Sequence, residues 1–217
     1  GTMIDDTIAE KAPPWGTEWF PNTGVVLRNG YPSDHETYML LLAGSFGGWR
    51  SHYDDDSGSV TIWGKGRIIA DDFGYKPGGT DEHNLPTSPD VTKSGHFDVS
   101  TFAPSKDFDY VIGARGDWQR QIALVKNDDP LAPNFFVMAD TFKTRASATW
   151  RIYFTAKSVT PNATGAEIVG NDDVDTDVYM VDAGSLALRT ETKSITAGSG
   201  IRPDGSNGPT TTTQTAL

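Results

Sequence analysis

The sequence predicts an all-β protein, a large antiparallel β-sandwich of supersandwich type with very little helix. Three observations carry that expectation. Short strand-like segments recur along the 217 residues, too many and too brief for helices. Gly, Pro, Asn and Asp punctuate them at turn-like intervals. No stretch shows a sustained helical stripe.

The strands are expected at Gly24 to Arg28, Thr37 to Ala43, Ser59 to Trp63, Arg67 to Ala70, His96 to Thr101, Tyr110 to Ala114, Gln121 to Lys126 and Asn134 to Asp140. Further strands are expected at Thr149 to Ala156, Glu167 to Val169, Asp177 to Val181 and Leu186 to Ser194. One domain over residues 19–196 accommodates them. Residues 1–18 read as a lead-in whose opening Gly1-Thr2-Met3 resembles a cloning remnant. Residues 197–217, rich in Gly, Ser and Thr, read as a flexible tail whose end has been cut short.

Composition narrows the function. With no Cys, disulfides, thiolate nucleophiles and Cys-type zinc knuckles are excluded. A formal charge of -11 without a basic stripe argues against nucleic acid. No apolar run approaches the ~20 residues of a membrane-spanning helix, so no membrane partner is expected.

The chemistry concentrates between His52 and Asn84. His52, Asp54, Asp56 and Gly58 stand at every second position, which on a strand turns them to one face. Val60-Thr61-Ile62-Trp63 and Arg67-Ile68-Ile69-Ala70, joined by Gly64-Lys65-Gly66, form a hairpin. Its far end carries Asp71 and Asp72, and a Gly- and Pro-bearing loop leads on to His83-Asn84. Antiparallel pairing brings Asp54 or Asp56 toward Asp72, and the loop can return His83 to them. Imidazole and carboxylates from three segments are the donors a divalent metal accepts, zinc first.

These segments resemble the C-terminal β-sandwich of heparinase II/III-like polysaccharide lyases, whose pattern reads HxHxDxGSFxLYxxGxxLxxDxGY followed by HN. His52 falls on the first His, Asp56-Ser57-Gly58-Ser59-Val60 on DxGSF, Gly66 on the hairpin Gly, Asp72-Phe73-Gly74-Tyr75 on DxGY and His83-Asn84 on HN. The segment from Trp19 to Arg28 and the stretches Gln119 to Lys126 and Phe135 to Asp140 extend the likeness over most of residues 19–140.

The resemblance implies one divalent metal held by Asp54, Asp72 and His83, and a catalytic role for His52. Asp54 replaces the family's second His, which keeps zinc as the first expectation and opens the site to calcium or manganese. The implied reaction is β-elimination next to a uronic acid in an acidic polysaccharide. The implied partner is an N-terminal α/α-toroid that supplies a catalytic Tyr and that this sequence does not contain, so the chain alone is expected to be inactive. A bacterial periplasmic or secreted setting follows from the same likeness, with self-association left open.

Beside this stand simpler readings. Trp49 and Arg50 offer a sugar platform with a carboxylate clamp, or Trp49 packs in the core. His35 and His96 read as structural, as do Trp118, Arg120, Trp150 and Arg151, which are expected to pack and pair within the sheets. Asp56 reads as a turn cap. The competing class is a non-catalytic carbohydrate-binding or structural β-module that retains the metal as a staple; a calcium-dependent adhesive domain is a third reading.

Overall fold

The computed structural model describes residues 15–44, 56–72, 80–88, 95–144, 147–201 and 207–217. Strands dominate them, and the helical content is limited to single 3₁₀ turns at Thr80–Glu82 and Ala183–Ser185. The large sheet begins with β1 (Glu18–Phe20), β2 (Gly24–Asn29), β3 (Thr37–Leu42), β4 (Val60–Gly64) and β5 (Arg67–Ala70). A second sheet contains β6 (Asp98–Ala103), β7 (Phe108–Arg115), β8 (Trp118–Val125) and β9 (Phe135–Phe142). After β10 (Tyr153–Phe154) come β11 (Ala156–Asn162), β12 (Gly165–Gly170) and β13 (Thr176–Tyr179), then β14 (Glu191–Ile201) and β15 (Asn207–Ala216).

The sheets have orders β1-β2-β3-β4-β5-β10-β15-β14, β6-β7-β8-β9 and β11-β12-β13, and their pairings are antiparallel. Period-two patterning sets the register. Val25 lies opposite Leu41 and Leu27 opposite Met39; Leu41 lies opposite Val60 and Met39 opposite Ile62. All six are buried in one continuous core with Val111, Trp118, Ile122 and Leu124 of the second sheet. A one-residue slip would turn such a row to solvent, so burial itself holds the alignment. Each fully buried Leu, Ile or Val contributes about 1.5–3 kcal/mol.

The β4–β5 connection is a two-residue turn in which Lys65 and Gly66 have φ of 54° and 76°. Both values are left-handed, as a type I′ hairpin turn requires. Lys65 is held there because its ammonium donates to the carbonyl of Pro130, 2.7 Å away, and to that of Ala132.

Three expectations need correction. Asp56 and Gly58 do not continue an alternating strand: Ser59 N donates to Asp56 O at 2.7 Å, Gly58 has φ +98°, and the segment is a tight turn. The 149–156 strand is interrupted, because the chain leaves the large sheet after Phe154 and enters the three-stranded sheet at Ala156. Residues 197–217 contain the end of β14 and the whole of β15 rather than a flexible tail. Four consecutive threonines, Thr210 to Thr213, are β-branched and suit a strand, and Gln214 and Leu217 are buried.

Candidate functional site

The site lies where β4 begins and β5 ends. The turn at residues 56–59 is fixed from the second sheet. Ser57 Oγ accepts the Phe97 N–H at 2.8 Å, Arg115 donates to Ser57 O at 3.2 Å and Arg120 donates to Gly58 O at 2.8 Å. A Cβ at Gly58 would lie 2.5 Å from the indole of Trp118, so both the ring and the positive φ require glycine here.

Ser59, fully buried, is the junction. Its hydroxyl donates to Asp72 Oδ2 at 3.2 Å and accepts the Asn84 N–H at 3.0 Å. Asn84 donates from Nδ2 to Val60 O at 2.8 Å and Asp71 O at 3.1 Å, and its Oδ1 accepts the Tyr153 N–H at 2.6 Å. Its own carbonyl accepts from Arg120 at 3.1 Å. The buried amide thereby satisfies strands on both sides of itself.

His83 is consequently delivered onto Asp72: Nδ1 lies 2.7 Å from Oδ1, with side-chain exposures of 2% and 17%. The 3₁₀ turn that precedes it is anchored by Lys193 of β14, 3.3 Å from Asp81 and 3.2 Å from Glu82. The Tyr153 hydroxyl donates to Asp81 O at 2.6 Å, and burial pushes that phenol up to about 12. Burial also raises the neighbouring Asp71 carboxyl above the usual range, partly offset by the Asp72 N–H it accepts at 2.9 Å.

Behind the corner stands Arg120, fully buried. Its Nε and Nη2 engage Asp140 at 2.8 and 3.0 Å, and Trp118 Nε1 donates to the same carboxylate at 2.8 Å. The forked pair leaves Nη1 for Gly58 O and Asn84 O.

Asp72 and His83, expected together from opposite ends of a loop, are in direct contact. His52, Asp54, Trp49 and Arg50 lie outside the described residues, as do Tyr53 and Tyr75. Among the described residues no three His, Asp or Glu side chains converge. At the corner the imidazole of His83 and the carboxylate of Asp72, which a buried serine orients, are hydrogen-bonded to each other; imidazole nitrogen and carboxylate oxygen are donor types that divalent cations take. The positioning roles of Ser59 and Asn84 were not drawn from the sequence, although both stand inside the quoted motif. Arg120 pairs within the sheets as expected, but its partner Asp140 was not drawn from the sequence; the signal is that each shares the inward period of its strand, with Ile122 and Leu124 on one and Phe136 and Met138 on the other.

Fold and corner together define a class: an antiparallel β-sandwich with a buried His–Asp contact at one end of its large sheet. No protein-family model matches the chain, and no curated protein matches it by sequence. Solved structures do. A crystal structure of heparinase III matches over 91% of this chain with TM-score 0.55 and 15% identity. A second heparinase III, with methylated lysines, matches over 95% with TM-score 0.59 and 12% identity. Heparan sulfate lyase HepC from Pedobacter heparinus matches over 95% with TM-score 0.58 and 14% identity. The chain spans about a third of the length of each, 33%, 33% and 36%. It therefore has the fold of one part of these lyases.

Proposed function

We propose that this chain is the β-sandwich portion, residues 19–196 with its closing strands, of a polysaccharide lyase that cleaves a uronate-containing acidic polysaccharide by β-elimination. The observation that carries the reading is the contact of His83 with Asp72, built on Gly58, Ser59 and Asn84, in a sandwich whose solved likenesses are a heparinase III and a heparan sulfate lyase. Asp54, Asp72 and His83 would hold one divalent metal, zinc first, with calcium or manganese as alternatives. Such an ion supplies fixed positive charge and ties the loops of the corner together.

In this reading His52 would act as base or charge-neutralising group, since imidazole titrates near neutral pH. The weak acidity of the uronate C5 proton is the barrier, and stabilising the charge that develops on the uronate carboxylate lowers it. Trp49 and Arg50 would hold the sugar ring and its carboxylate. An α/α-toroid in the intact protein supplies the remaining groups, so the isolated chain is inactive. A bacterial periplasmic or extracellular location suits a polymeric substrate.

The test is elimination by the intact protein, read as the ultraviolet absorbance of the unsaturated uronate. Replacing His52 by Ala should reduce kcat by about 10²–10⁴-fold. An unchanged rate removes the catalytic assignment and favours the second reading, a carbohydrate-binding or structural module that keeps the corner as a staple. The buried hydrogen bonds that knit Ser59 and Asn84 into both sheets favour that alternative.

A further inference from the structure

A cleft of about 550 Å³ opens at the other end of the large sheet, lined by Trp15, Thr17, Arg28, Tyr31, Lys106 and Lys126 among others. Strand register places it there: β2 and β3 run from the Leu41–Val60 end, beside the His83 corner, to Asn29 and Thr37, beside the cleft. We propose that this cleft is an accessory binding site for an anionic saccharide unit, which anchors the polymer away from the His83–Asp72 corner. The proposal deepens, and rests on, the polysaccharide reading above.

Charge is the first argument. The chain has a formal charge of -11, yet three cations and, among the described residues, no carboxylate line this cleft. Their counter-charges lie to one side. Arg28 is held by Glu36 at 3.1 Å, and Lys126 by Asp109 at 2.7 Å, a carboxylate with no exposure. Lys106 differs: its side chain is 78% exposed and its partner Asp128, at 3.6 Å, is 88% exposed. An exposed pair of that length contributes little, so a uronate carboxylate or a sulfate can replace Asp128 at small cost.

The aromatic faces are the second argument. Trp15 is 55% exposed, and a flat indole at the mouth of a cleft provides a stacking face for a pyranose ring. The Arg28 guanidinium lies 4.3 Å from the Tyr31 ring centroid, which orients both groups. The lip is anchored rather than loose. Thr17 Oγ1 accepts the Arg28 N–H at 2.8 Å and donates to Asp109, fixing the segment that carries Trp15. Aromatic face, exposed ammonium and oriented guanidinium together match a ring bearing negative charge better than a neutral one.

The experiment titrates the chain with heparan sulfate oligosaccharide and with alginate oligosaccharide by calorimetry, using dextran as the neutral control. Both acidic probes should bind with salt-sensitive affinity, and dextran should not. Trp15→Ala and Lys106→Ala, both at exposed positions, should each weaken binding about five- to tenfold. Unchanged affinity in both variants, or equal binding of dextran, overturns the accessory site and leaves the lyase reading standing. Saccharide held through Trp15 by a protein whose intact form yields no unsaturated product supports the cleft and removes the lyase reading.

Discussion

Arg120 and Asp140 face each other on adjacent strands as a two-point ion pair, 2.8 and 3.0 Å, with the arginine fully buried and its third nitrogen turned to Gly58 O and Asn84 O. One side chain therefore connects the second sheet to both loops of the His83 corner. Replacing Arg120 by Met leaves Asp140 charged and partly buried, and two carbonyls lose their donor. A loss of about 3–5 kcal/mol is expected in urea unfolding. Arg120→Lys also fails, because an ammonium cannot supply the fork. A midpoint within experimental error of the parent would show that the pair is not what joins the sheets.

Gly58→Ala places a Cβ 2.5 Å from the Trp118 ring at φ +98°. Strain and overpacking together should cost on the order of 2–4 kcal/mol. The unfolding midpoint checks this.

Alkaline titration reports on Tyr153. Its phenol ionises near 10 when unfolded and is pushed up to about 12 in the fold. The neutral form is thus favoured by folding. The associated stability is fully present below pH ~10 and is lost as the pH rises toward 12. Tyr153→Phe lacks the bond to Asp81 O, so its stability at neutral pH should fall by about 1 kcal/mol while the decline through that window becomes shallower. Denaturant unfolding at stepped pH measures both.

Ser59→Ala removes the donor to Asp72 and the acceptor for Asn84 N–H. For a metal held by Asp72 as proposed, zinc affinity should fall about 10–100-fold. An isotherm identical to the parent's would assign Ser59 a purely structural role.

Much of the fold was legible because one physical rule, a two-residue period, governs both pattern and burial. Val60 and Ile62 lie inward as their alternation with Thr61 and Trp63 predicts, whereas Val25, Leu27, Met39 and Leu41 stand in continuous apolar runs whose inward face is set by their strand partners. β15 was hidden because its threonines are polar on a composition scale and strand-forming by shape, and its pairing with β14 and β10 is a tertiary fact. At the site, Asp72 and His83 were legible as a convergence of two motif elements. The turn at Gly58 was not, since its geometry is imposed by Trp118, sixty residues further along the chain. Ser59 and Asn84 escaped for a related reason: a buried polar junction is defined by partners on other strands.

The proposed divalent-metal centre rests on Asp72 and His83. Elemental analysis of the purified chain, together with Asp72→Ala and His83→Ala, tests it most directly. One bound divalent ion per chain, lost in both variants that remain folded, is the expected result. A folded parent chain that takes up no stoichiometric zinc, calcium or manganese would leave His83 and Asp72 as a plain hydrogen-bonded pair and contradict the account.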